Sequence, residues 1–136
     1  MNHYLLDTNI VSEVRKPRPH GAVVAWLHAQ QEEQLFLSAV TIGELQAGIE
    51  RTRAQDAAKA DELELWLDQL AISYQVIAMD AICFREWGRL MSHKPDHLLE
   101  DAMIAATART HNLIVATRNE RDFKEFDVRV FNPFRS

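Results

Sequence analysis

Short apolar segments that alternate with longer amphipathic ones restrict the fold of this chain more than any other feature. Residues 35–40 and 113–116 are continuous apolar runs, which is typical of strands buried on both faces. Similar short runs occur at 4–6, 75–78 and 128–131, and the segments between them carry apolar residues at helical spacing. This alternation predicts an α/β domain with a mainly parallel, five-stranded sheet.

The composition predicts one globular domain over residues 1–136. The chain is long enough for one sizeable core, 47% of its residues are apolar, and glycine and proline number only four each. These values exclude a disordered or low-complexity protein. The net charge of −5 argues against a protein that coats nucleic acid by bulk electrostatics, although it leaves RNA open as a substrate.

The cysteine content and the N-terminal sequence bear on location. Cys83 is the one cysteine, so an internal disulfide is excluded, and this usage suits a reducing compartment. No signal peptide and no apolar stretch long enough to span a bilayer can be recognised. We therefore expect a cytoplasmic protein with no membrane association.

Polar residues after the apolar runs predict where helices begin. Thr8 or Asn9 follows the first strand and is suited to cap the first helix. Thr41 follows the second strand with Glu44 three residues later, which matches a capping box and predicts a helix start at Thr41. Asp122 is expected to begin a short helical turn before the fifth strand.

Four acids stand where an apolar segment meets a loop or a helix start, namely Asp7, Glu44, Asp101 and Asp122. In an open parallel sheet such positions converge at the carboxyl ends of the strands, where ligands bind. Carboxylates gathered there repel one another unless a cation neutralises them, and oxygen ligands suit Mg²⁺ or Mn²⁺. The pattern therefore predicts a metal site formed by the four acids, with a metal-dependent phosphodiesterase as its leading use.

Each acid also has a purely structural explanation. Asp7 and Asp122 are suited to cap helices, Glu44 to complete a capping box, and Asp101 to interact with a helix dipole. None of these explanations accounts for the small residues behind Asp101, such as Ala105, which allow close packing behind the acid. The neighbouring Glu100 is expected to face about 100° away from Asp101 on the helix.

Several polar residues beside the acids are expected to support the site. Hydrogen bonds that hold the carboxylates are predicted from the side chains of Thr8, Asn9, Thr117 and Asn119. Arg118 and Arg121 flank the same segment and are possible contacts for a substrate phosphate.

The four acidic segments together resemble a PIN domain, particularly the VapC-type toxins of bacterial toxin–antitoxin pairs. Four segments carry the resemblance, one around each acid, at residues 6–9, 38–45, 100–108 and 117–123. The Thr-Arg-Asn sequence at 117–119 and the closing Phe-Asn-Pro-Phe at 131–134 look nearest to the FitB-like branch.

The resemblance implies a three-layer α/β/α fold and a Mg²⁺- or Mn²⁺-dependent endoribonuclease. Asp7, Glu44 and Asp101 would be the main metal ligands and Asp122 would complete the site. It further implies a homodimer that is neutralised by a cognate VapB- or FitA-like antitoxin, with operator DNA reached only through that antitoxin.

Other classes of protein fit the sequence less well than the nuclease does. A receiver-type phosphorelay domain would need a lysine where Thr117 and Arg118 stand, and an Asp-x-Asp phosphatase would need an aspartate in place of Asn9. The remaining alternative is a catalytically weak, PIN-like binding module. Its acidic pocket would receive a basic segment of an antitoxin-type, DNA-binding partner.

The antitoxin hypothesis also assigns a surface to the partner's apolar residues. A basic side chain of the partner would pair with the carboxylates. A groove for its hydrophobic part is expected from Ile10, Val11 and Val14 of the first helix and from Trp26 and Leu27 of the second. The competing explanation is that these side chains all belong to the core.

Overall fold

The sheet contains five strands, all parallel, in the order β3-β2-β1-β4-β5. The structure is a computed structural model that describes residues 1–135. Its strands are β1 (Tyr4–Leu6), β2 (Leu35–Ser38), β3 (Gln75–Ile77), β4 (Ile114–Ala116) and β5 (Val130–Phe131).

Seven α-helices connect or follow these strands within residues 1–135. They are α1 (Thr8–Arg15), α2 (Gly21–Ala29), α3 (Ala39–Arg53), α4 (Ala57–Ser73), α5 (Ala81–Leu90), α6 (Leu99–His111) and α7 (Glu120–Lys124). Short 3-10 turns lie at Glu32–Gln34, Asp96–Leu98 and Pro133–Arg135. None of the helices within this range is both long and apolar enough to cross a membrane.

Two hydrophobic cores lie on opposite faces of the sheet. Alternate residues of the central strand β1 point to opposite faces. Leu6 packs with Ile10 of α1 and with residues of α2, α3 and α4, whereas Leu5 packs with Ala105 of α6 and Phe123 of α7. The predicted α/β class, the five-stranded parallel sheet and the three-layer α/β/α arrangement are therefore confirmed.

The start of α3 differs from the prediction, and the capping box is wrong. Ser38 is the N-cap, because its hydroxyl accepts a hydrogen bond from the backbone N–H of Val40 at 3.1 Å. Thr41 is fully buried in the first turn instead, and its hydroxyl accepts a hydrogen bond from Thr8 at 3.2 Å. Ser38 provides the same kind of acceptor three residues earlier, which leaves Glu44 without a capping role.

Two other helix starts are corrected. Asp7, rather than Thr8 or Asn9, caps α1, since its carboxylate accepts from the N–H of Thr8 at 2.8 Å. The helix α7 begins at Glu120, so Asp122 lies inside this helix instead of beginning it.

Small side chains bring α6 close to the sheet. Ala102, Ala105 and Ala106 are all fully buried, and Ala102 and Ala105 pack in the same core as Leu5 and Val115. The N-terminus of α6, with Asp101 in its first turn, is thereby held at the carboxyl ends of β1 and β4. The alanines behind the acid thus position it.

Candidate active site

Asp7 is the most buried of the predicted site acids. It follows β1 directly, and its side chain is 6% exposed. Its carboxylate accepts hydrogen bonds from the N–H of Thr8 at 2.8 Å, from Asn9 Nδ2 at 3.1 Å and from Thr117 Oγ1 at 2.8 Å. Burial raises the pKa of Asp7, and these three hydrogen bonds offset that rise only in part.

Glu44 reaches the same region from the second turn of α3. Its Oε1 accepts a hydrogen bond from Thr8 Oγ1 at 2.9 Å. Burial raises its pKa to about 8, together with the adjacent Glu100 carboxyl and the charge of Asp7. Glu44, which the sequence also suited to a capping box, is therefore a carboxylate that faces other carboxylates.

Asp101 is half-buried in the first turn of α6 and accepts no hydrogen bond from the described part of the chain. Burial raises its pKa to about 6, and the negative charges of Asp7, Asp122 and Glu100 act in the same direction. The charged form of a carboxylate is disfavoured when acidic groups lie nearby and few hydrogen-bond donors contact it. Asp101 is thus the acid on which the charges of Asp7, Asp122 and Glu100 act together.

Asp122 joins the group through the residues that hold it. Asn119 Nδ2 donates to Asp122 Oδ2 at 2.9 Å, and the N–H of Asn119 donates to Thr117 Oγ1 at 2.9 Å. Thr117 in turn donates to Asp7. One hydrogen-bonded chain therefore connects the acid after β1 with the acid in α7.

All four residues expected to support the acids make hydrogen bonds at this edge. Thr8 donates to Glu44, Asn9 and Thr117 donate to Asp7, and Asn119 donates to Asp122. Thr41 was predicted only as a helix cap, although its hydroxyl contacts that of Thr8. The capping-box pattern predicted a helix cap at Thr41 and gave no sign of its contact with Thr8.

Glu100 is the acid that sequence reasoning placed incorrectly. It does not face away from the site, because its carboxyl contacts Glu44 and its charge affects Asp101. Glu100 and Asp101 both lie in the first turn of α6, and Glu100 lines a cavity together with Glu44. The signal in the sequence was two consecutive acids at a helix start.

Residues 4–129 match the PIN domain family. The chain belongs to the PIN-domain family. The resemblance given by the four acidic segments is thereby confirmed, as is the PIN-like fold.

Individual relatives of this PIN domain are similar over nearly their whole length. The chain is 36% identical over 137 residues to the toxin FitB of Neisseria gonorrhoeae, covering 96% of this chain and 97% of FitB. It is 35% identical over 141 residues to the VapC ribonuclease Y4jK of Sinorhizobium fredii, covering 96% of each chain. The likeness to the VapC-type toxins and to the FitB-like branch is thus confirmed.

A solved structure supports the same relationship in three dimensions. The crystal structure of FitAcB from Neisseria gonorrhoeae superimposes with a TM-score of 0.86 at 34% sequence identity. The match covers 98% of this PIN domain and 99% of that chain.

The oxygen donors of the PIN domain suit a hard cation, although they do not form a closed cage. Burial raises the pKa values of Asp7, Glu44 and Asp101, and neighbouring acids raise those of Glu44 and Asp101 further. Within residues 1–135, however, no three acid, histidine or cysteine side chains lie close enough to hold one metal ion directly. Mg²⁺ commonly keeps several of its waters, so the donors fit a hydrated ion better than a dehydrated one.

The two arginines predicted to contact substrate lie at the rim of this edge. Arg118 donates its backbone N–H to Asn9 Oδ1 at 3.2 Å, and its guanidinium lies 4.6 Å from the centroid of the Phe134 ring. Arg121 is exposed on α7. Their contact with a phosphate stays a prediction.

The raised pKa values give the metal-free PIN domain a defined pH dependence. In the folded state Asp101 and Glu44 bind protons more tightly than in the unfolded state, so the stability they contribute is present at low pH. It is lost as pH rises through about 6 and about 8. We expect the free energy of unfolding in EDTA, measured by urea denaturation, to fall across this range.

Replacing Asp101 should remove part of that loss. We expect Asp101→Asn to raise the metal-free unfolding free energy at about pH 8 by about 1 kcal/mol, allowing for solvent screening of a half-exposed group. Asp68→Asn, an exposed acid on α4, is the matched control and should leave the pH profile unchanged. Equal pH profiles for wild type and Asp101→Asn would mean that the acids do not repel one another.

Proposed function

We propose that this PIN domain is the toxin of a type II toxin–antitoxin pair and cleaves RNA phosphodiester bonds with bound Mg²⁺ or Mn²⁺. The gathering of Asp7, Glu44 and Asp101 at one edge of the sheet, where burial raises the pKa of each carboxyl, is the observation that carries the proposal. The names of the relatives, toxin FitB and VapC ribonuclease, support it independently.

The four acids would hold the metal, directly or through its waters. When bound, such an ion activates a water molecule and stabilises negative charge on the phosphate and on the leaving oxygen. The PIN domain contributes the orientation of the ligands. Thr117 and Asn9 fix Asp7, Thr8 fixes Glu44, and Asn119 fixes Asp122.

A second function is favoured by one observation. The carboxylates within residues 1–135 do not stand close enough together to form a complete metal site as they are. This suits a catalytically weak binding module that acts with an antitoxin-type, DNA-binding partner. The two functions differ in whether metal-dependent cleavage occurs.

We expect Asp101→Asn to abolish metal-dependent RNA cleavage while the fold persists. Asparagine keeps the size of the side chain but loses the charge that a cation needs. The loss should exceed the roughly 10- to 100-fold that removal of a supporting partner costs. Cleavage of cellular RNA and circular dichroism, measured on the same preparation, provide the test.

The controls for this variant rank the acids. Asp122→Asn should reduce cleavage less than Asp101→Asn, because Asp122 is expected to complete the site while Asp7, Glu44 and Asp101 are the main ligands. Asp68→Asn should have no effect. A folded Asp101→Asn protein with near wild-type cleavage would contradict the nuclease assignment, whereas a wild type that never cleaves RNA would favour the binding module.

We also propose that a cognate antitoxin inhibits the PIN domain through the acids and a separate apolar groove. Part of the groove predicted from the sequence is wrong. Ile10 and Val11 are fully buried and belong to the core, and Trp26 packs against the rings of Tyr4 and Phe131. These side chains face the sheet because they lie on the inner stripes of α1 and α2.

The groove that does exist lies between α1, α2 and α4. It is a cavity of about 680 Å³ whose walls include Val14, Leu27, Trp66, Leu70 and Tyr74. Two of the five predicted residues, Val14 and Leu27, therefore remain available to a partner. The homodimer and the indirect contact with operator DNA stay predictions.

Val14→Asp should weaken antitoxin binding, because it places a charge in an apolar cavity. We expect an affinity loss of about tenfold or more, measured by calorimetric titration of the candidate antitoxin. Ile72→Asp, at a position 78% exposed on α4, is the control and should bind normally. Asp7→Asn tests the basic contact in the same way. Unchanged affinity in both Val14→Asp and Asp7→Asn would place the antitoxin elsewhere.

A further inference from the structure

A second cavity, of about 500 Å³, adjoins the acids. It lies along α1 and α3 and is closed on one side by Trp66 of α4. Glu44 and Glu100 belong to its lining as well as to the acidic site. The cavity is therefore continuous with the proposed site of cleavage.

Two helices line this groove with stripes that lead from the acids to an arginine. On α1 the lining residues are Thr8, Ser12 and Arg15, spaced by four and three positions. On α3 they include Glu44 and Arg51, seven positions apart. Seven residues are two helical turns, or about 10 Å along the axis. Each stripe thus begins at the carboxylates and ends at a guanidinium group.

The two arginines at the basic end, Arg15 and Arg51, do not pair with carboxylates in the described part of the chain. The Arg15 guanidinium lies 5.6 Å from the centroid of the Trp66 ring, and Arg51 Nη2 lies 3.6 Å from where a Cβ on Gly48 would be. Neither side chain forms an ion pair or a hydrogen bond with another residue of 1–135. By contrast, Arg53 on the same helix pairs with three carboxylates.

We propose that Arg15 and Arg51 bind a backbone phosphate of the RNA on one side of the bond that is cleaved. The inference rests on the proposed function and adds a substrate-binding subsite to it. The groove would hold the RNA backbone along α1 and α3, with the scissile phosphate at the acids and a neighbouring phosphate at the arginines. The hydroxyl groups of Ser12 and Thr52 also line the groove and can donate to phosphate oxygens.

Charge explains why the occupant of the basic end is a phosphate. The chain carries a net charge of −5, and the acids repel an anionic substrate. RNA binding therefore requires local positive charge beside the acids, and guanidinium groups match phosphate oxygens in geometry as well as in charge. A basic antitoxin segment, in contrast, would be repelled from Arg15 and Arg51.

The salt dependence of RNA binding tests the subsite directly. The probe is a short, fluorescein-labelled single-stranded RNA of mixed sequence, bound to the full chain in EDTA and followed by anisotropy. Each lost phosphate contact should reduce the slope of log K against log salt by about 0.7. We expect a reduction of about 0.7 for Arg15→Gln/Arg51→Gln, because the two arginines share one phosphate, and none for Arg85→Gln, an exposed arginine on α5.

Cleavage kinetics provide a second readout with metal present. The double glutamine variant should raise KM by roughly tenfold or more and leave kcat nearly unchanged, because the contact is remote from the reacting bond. Arg15→Lys/Arg51→Lys keeps both charges and should retain the wild-type salt slope. Thermal melts of all variants separate loss of binding from loss of folding.

The outcomes distinguish this inference from the function on which it rests. If wild type binds and cleaves RNA but the double glutamine variant has the same slope and KM, the subsite is refuted and the nuclease stands. If wild type neither binds nor cleaves any RNA, the proposed function fails and the subsite with it. Loss of antitoxin affinity in the double variant, with RNA binding intact, would make the groove a protein-binding surface and overturn the inference.

Discussion

The site depends on the buried carboxylate of Asp7, whose charged form the surrounding hydrogen bonds stabilise only in part. β1 and β4 are neighbours in register, so the residues after them, Asp7 and Thr117, come side by side. Thr117 donates to Asp7 and accepts from Asn9 and from the N–H of Asn119. This hydroxyl therefore orders the acid, its support and the start of α7 together. Hydrogen bonds reduce the cost of burying Asp7 without removing it.

The remaining acids add further negative charge beside Asp7. α3 and α6 have their N-termini at the same edge of the sheet, and they bring Glu44, Glu100 and Asp101 toward Asp7. Burial and mutual repulsion raise the pKa values of Glu44 and Asp101. Folding tolerates this arrangement because the packing of two cores on one sheet provides the stability. In the proposed function these carboxylates bind a cation instead of stabilising the fold.

The sequence predicted those features that depend on local pattern. Apolar runs identified every strand, and the acids after them converged because parallel strands share a carboxyl edge. Contacts that depend on tertiary packing were predicted less well. Thr41 had a good capping pattern, but Ser38 was available earlier and the core took up Thr41. The angle of about 100° between neighbouring helix positions suggested that Glu100 faces away from the site. Its carboxyl nevertheless contacts Glu44.

Direct titration of the side-chain carboxyl carbons by ¹³C NMR tests the central claim, that these acids share one uncompensated site. In EDTA the account predicts that Asp101 titrates near 6 and Glu44 near 8, with both pKa values falling when Mg²⁺ is added. Titration at the ordinary values of 3.8 and 4.5, with no response to Mg²⁺, would contradict it. The four acids would then be separate structural residues at the edge of the sheet.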